Sequence, residues 1–89
     1  MAIDIDKQVR YWRTGAEDAM GSAELLIANG RWGLGLFLLH VALEKSLKAL
    51  VVRQTRDVPP RTHDLLRLIR QAELEPPADV LGVPGEFQA

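Results

Sequence analysis

The chain has 89 residues, 47% of them hydrophobic, and a formal net charge of −1. That length supports one small domain, which buries only about 60–65% of its unfolded surface, and the near-neutral balance excludes a strong overall pull toward nucleic acid. No cysteine is present, which excludes disulfides and thiolate metal sites.

Residues 1–7 alternate apolar and acidic side chains, without the basic start or apolar core of a signal peptide. The first helix is expected to begin near Asp4 or Asp6, either of which can cap exposed backbone N–H groups. Trp12, Ala16, Ala19, Ala23 and Leu26/Ile27 then recur with helical spacing. Gly15 and Gly21, with Ala16, Ala19, Ser22 and Ala23, make a small-residue surface for close approach of another helix. Asn29-Gly30 supplies a left-handed end.

The second helix is predicted from Trp32 to Arg53 or Gln54, with fraying or a bend at Gly33 and Gly35. At 100° per residue, Leu36, His40, Leu43, Leu47, Leu50 and Val51 form one stripe. Leu34, Leu38, Val41 and Val52 form a second apolar surface on the far side. The near-apolar run over residues 34–43 is about half the length that spans a bilayer, and a cytoplasmic location is expected. Pro59-Pro60 forces an extended passage. Thr62 is the expected cap of a third helix, with Asp64 in its first turn and Leu65, Leu68, Ile69 and Ala72 on its buried side. Pro76-Pro77 is expected to stop it, and Gly82, Pro84 and Gly85 break any helix that follows.

No strand alternation and no internal repeat occurs. The predicted fold is all-α: an antiparallel helical bundle made of a long αα-hairpin plus a shorter third helix. It forms a single domain over residues 1–81 with a poorly ordered tail over 82–89. Two neighbours leave about a third of the second helix facing water, and that third is apolar. A homo-oligomer, a dimer first of all, is therefore expected to close the bundle.

Polar residues within this apolar helix are the candidates for function. Between Glu44 and Arg70 stand seven basic residues against three acidic ones, a local excess of +4, while the rest of the chain sums to −5. This pattern suits an anionic ligand or acidic partner, and equally a solvated helix surface. His40 and Glu44 lie one turn apart, as a base and its orienter would, although His40 on the apolar stripe also reads as a core or interface histidine. Glu44 and Lys48 form a favourably oriented i, i+4 pair. With Lys45 they leave three charges around an apolar helix, and burying an unpaired charge is costly, so at least one is expected to line a groove or meet a partner. His63, Arg67 and Arg70 form a basic ridge on the third helix, able to bind phosphate or to remain solvated. Aromatic side chains for base stacking are scarce near that ridge. Two histidines without clustered carboxylates do not make a metal site, and no cofactor is implied.

Several of these residues form a pattern: Trp12…Ala16…Asp18, the Asn29-Gly30 turn, Phe37-x-x-His40-x-Ala42-x-Glu44-Lys45-x-Leu47-Lys48-Ala49-Leu50, and Pro60-x-Thr62-His63-Asp64-Leu65. Over residues 8–73 the chain resembles the HEPN family, the all-helical domain named for higher eukaryotes and prokaryotes. The resemblance implies an antiparallel bundle that dimerises, often encoded beside a small nucleotidyltransferase in a toxin–antitoxin-like or regulatory pair. Several branches are metal-independent endoribonucleases, with an Arg followed four to six residues later by His. Arg56 and His63, with six residues between them, match that pattern formally across the Pro-Pro loop, whereas the family's motif commonly lies in a later helix. The chain therefore looks shortened at its C-terminus. Three functions follow as expectations. The first is a non-catalytic interaction module partnering a nucleotidyltransferase. The second is an RNA-cleaving enzyme using His63 with Arg56 or Arg61. The third is a nucleotide-binding accessory domain using Lys45, Lys48 and the ridge of His63, Arg67 and Arg70.

Overall fold

A computed structural model describes residues 3–72. It places three helices in this span, α1 (Ile5–Ala28), α2 (Trp32–Thr55) and α3 (Leu65–Gln71), and no strand among the described residues. The expected tail over 82–89, the domain limit at residue 81 and the C-terminal shortening lie outside the described residues. Among those described, no helix is long and apolar enough to cross a membrane.

Each boundary has a local cause. Asp4 caps α1, its carboxylate accepting the Lys7 N–H at 3.0 Å. At the other end the Asn29 side chain donates to the Leu25 carbonyl at 2.7 Å, and Gly30 takes φ +76°, a conformation that costs glycine little. Arg56 ends α2 in the left-handed region, φ 56° and ψ 37°. The cap of α3 is Asp64, not Thr62: its carboxylate accepts from the N–H groups of Leu66 and Arg67 at 3.1 and 3.2 Å. Thr62 instead accepts from the Asp64 N–H at 3.1 Å, holding the capping residue in an extended conformation.

The first two helices fold back on each other. Gly35 of α2 meets Ile27 of α1, Lys45 crosses Gly15, and Ala49 and Val52 pack with Val9 against Ile5 and Trp12. Partners thus descend along α1 as they ascend along α2. Ala16, Ala19 and Ala23 are buried, so one side of the small-residue surface serves close helix approach, while Gly21 and Ser22 remain exposed. Gly35 behaves differently from the expected fraying. A Cβ there would stand 2.6 Å from Ile27 Cγ1, so its missing side chain lets the helices touch.

A second cluster joins α2 to α3 through Leu47, Val51, Leu68 and Ala72, with Leu65 and Ile69 packed against it. Leu68, Val51 and Val52 are the largest fully buried side chains, each worth about 1.5–3 kcal/mol of burial. The stripe read along α2 is therefore divided. Leu47 and Val51 are covered by α3, while Leu36, Leu43 and Leu50 stay 57%, 49% and 38% exposed. On the second surface Val52 is fully buried, Leu38 and Val41 are partly covered, and Leu34 is exposed.

Candidate functional site

The site grows from one buried carboxylate on α2. Glu44 is only 8% exposed at its side chain, and its two oxygens serve different partners. Oε2 accepts from Lys48 Nζ at 3.3 Å, one turn along the same helix. Oε1 lies 2.6 Å from His63 Nδ1, on the segment that leads into α3. Burial pushes the Glu44 carboxyl up, but hydrogen bonds from His63 and Lys48, together with their charges, outweigh it and hold the group below its ordinary value. Glu44 is accordingly ionised near neutral pH and can only accept. His63 must then carry its proton on Nδ1, leaving Nε2 available as a base when the ring is neutral. The His63 side chain is 87% exposed, so that nitrogen is open to a ligand.

His40 plays a smaller part than its spacing implied. Its side chain is 46% exposed, with Nε2 3.9 Å from the same Glu44 oxygen. It does not lie in the monomer core, and His63 has taken the hydrogen-bonding position that i, i+4 geometry offered it. Lys48, the i, i+4 partner of Glu44, is buried with it. Its ammonium is 5.1 Å from the centre of the Trp12 ring, a cation–π contact, and Trp12 Nε1 donates to Gln8 Oε1 at 3.3 Å. A polar line thus runs from α1 through Trp12, Lys48 and Glu44 to His63.

Around this line the candidates disperse. Lys48 and Arg61 line one recess with Tyr11, Trp12 and Pro60. Lys45 lines another, beside Lys7, Arg10 and Tyr11. Arg56 lines a third, with Arg10, Arg13 and Arg53. Arg67 and Arg70 are exposed on α3. His63 precedes that helix and turns toward Glu44, so the three-residue ridge reduces to its two arginines. Aromatic groups are closer than the chain order suggested. Tyr11 and Trp12, an edge-to-face pair with centroids 5.0 Å apart, stand beside the Pro-Pro loop. Among the described residues, no three His, Cys, Asp or Glu side chains are arranged to hold a metal ion.

A family model of the HEPN domain matches residues 9–82. The chain belongs to the HEPN family. No curated protein and no solved structure matches it. In this HEPN domain the buried hub, Glu44, and its partner His63 both fall within the matched span, as do Trp12 and Lys48.

The other large feature of the HEPN domain is apolar. A groove of about 610 Å³ runs between α1 and α2. Ala16 and Met20 line it from α1 and Leu39, Leu43 and Leu50 from α2, with Arg13, Glu17 and Arg53 also on its lining. The exposed leucines of α2 continue from it.

Proposed function

We propose that this HEPN domain is an assembly module, non-catalytic alone, that pairs with a second copy of itself and with a nucleotidyltransferase. The observation that carries the reading is the uncovered strip of Leu36, Leu43 and Leu50 beside the α1–α2 groove. Apolar surface of this continuity favours association in water. Pairing two copies along it would bury leucines that α1 and α3 leave exposed and close the bundle. The nucleotidyltransferase rests on the family resemblance, and a neighbouring reading frame encoding one would support it. Light scattering on the purified chain tests the self-association, with a dimer or larger species expected at micromolar concentration. A compact 9.9 kDa monomer would end it.

A second reading, a metal-independent ribonuclease, is favoured by the His63–Glu44 pair. A carboxylate that fixes the imidazole tautomer and leaves Nε2 exposed suits proton transfer from a ribose 2′-OH. Cleavage also needs a cation at the phosphate, and the two candidates are divided: Arg61 lines the recess of Trp12, Arg56 that of Arg53. This division supports the first reading. The purified protein is expected to cleave RNA in EDTA no faster than background. Specific cleavage that disappears in His63→Ala, with the fold intact, would establish the second reading.

A further inference from the structure

Charges interrupt the apolar lining of the α1–α2 groove. Arg13 and Glu17, one turn apart on α1, both line it and both are exposed. They do not pair with each other: the ion pairs within 4.0 Å among the described residues all involve Glu44. Their order, base before acid along the helix, is also the weaker one for an i, i+4 pair. Whatever covers the leucines of the groove therefore also covers an unpaired charge of each sign. That is costly unless the occupant brings the opposite sign to both. A second copy of this chain does so when its α1 runs antiparallel to the first.

Two-fold symmetry turns this into a question of register, because every contact is then made twice. Arg13 of each copy faces Glu17 of the other when the axis passes level with position 15, midway between them. The leucines of α2 give an independent measure. Leu43 and Leu50 both line the groove, and they face each other across the same axis when it passes level with positions 46 and 47. The folded chain brings these two levels together. Gly15 lies against Lys45, and Ile27 lies against Gly35. Both helices rise by about 1.5 Å per residue, so position 15 of α1 is level with positions 45 to 47 of α2. Ser46, small and exposed, lines the groove at that level and leaves room for two α2 helices to cross.

We propose that a second copy docks in this groove with α1 and α2 antiparallel to their counterparts, about a two-fold axis level with Gly15 and Ser46, and that the reciprocal Arg13–Glu17 pair selects this register. The proposal rests on the self-association reading above and adds the orientation of the copies and the charges that fix it. Leu43 and Leu50 supply the apolar contact, which tolerates sliding. The paired charges do not, since displacement sets like charges together or leaves both without a partner.

The test uses the full chain at micromolar concentration and low salt, with mass read by light scattering and native mass spectrometry. Glu17→Arg makes both positions basic and Arg13→Glu makes both acidic. Each variant alone should dimerise at least about tenfold more weakly than the wild type. Mixed in equal amounts they should form a dimer containing one copy of each, and Arg13→Glu/Glu17→Arg in one chain should restore the homodimer. The chain has no cysteine, so Ser46→Cys reports the register with these charges unchanged. Oxidation should link two copies through that position, whereas Leu36→Cys should stay unlinked. A wild-type dimer whose single charge variants assemble like the wild type would overturn this register and leave self-association standing. Linkage through Leu36→Cys in place of Ser46→Cys would do the same. A wild-type monomer would overturn both.

Discussion

At the scale of single residues, the same amino acid has opposite consequences at two places in the hairpin. Gly35 is closed in by Ile27, whereas a Cβ at Gly21 would meet nothing within 4 Å. Alanine at Gly21 should stabilise the protein by about 1 kcal/mol through helix propensity. Alanine at Gly35 gains the same propensity but forces Ile27 to shift, and overpacking of this kind costs about 1–3 kcal/mol. Urea denaturation should therefore move in opposite directions for the two variants. Glu44 supplies the pH dependence. Its folded-state pKa is lowered from 4.5, so the unfolded chain takes up this proton first as pH falls. The stability it contributes is complete above 4.5 and is lost as pH drops through the folded value. Glu44→Gln should flatten that acid limb in thermal melts and lower the neutral-pH melting temperature, because His63 and Lys48 lose their anion. The importance of Glu44 was legible in the sequence as a charge inside an apolar helix. Its partner was not: His63 lies 19 residues away, and i, i+4 spacing pointed to His40 instead.

At the scale of elements, the ends of α1 were readable because short-range chemistry sets them, Asp4 and Asn29-Gly30 acting on their immediate neighbours, while Pro59-Pro60 bounded α2 only to within a few residues of its Arg56 cap. The third helix was readable in its buried face, Leu65, Leu68, Ile69 and Ala72, and misread at its cap. Thr62 and Asp64 are both good capping residues, and the choice between them depends on where the chain turns after Pro60. With only seven residues, α3 is too short to be stable alone and depends on the cluster around Leu68. Leu68→Ala should cost about 2–5 kcal/mol. The loss should fall on α3 and the His63 contact first, visible as release of the His63 ring signals while α1 and α2 remain helical by circular dichroism.

At the scale of the whole molecule, the all-helical architecture followed from periodicity and from the absence of strand alternation. Periodicity alone did not reveal which apolar residues α3 would cover, because Leu43 and Leu47 look equivalent on a helical wheel. Only Leu47 is covered. This difference makes Leu43→Glu a clean probe of self-association. The residue is half exposed in the single chain, so the substitution should leave the fold and melting curve of a monomer nearly intact while shifting light scattering toward a smaller species. The polar line from Trp12 through Lys48 and Glu44 to His63 has another consequence, in the order in which the protein opens. The α1–α2 pair is held along its length by close backbone approach and buried alanines, whereas α3 is held by one apolar cluster and a hydrogen bond to an exposed ring. Native-state hydrogen exchange should therefore be graded: amides of α3 should exchange through a partial opening of lower free energy, and those around Ala49 and Val52 only on global unfolding. In that partly open state Glu44 would lose His63 and face solvent on one side, so lowering the pH should reduce the protection factors of α3 before those of the hairpin.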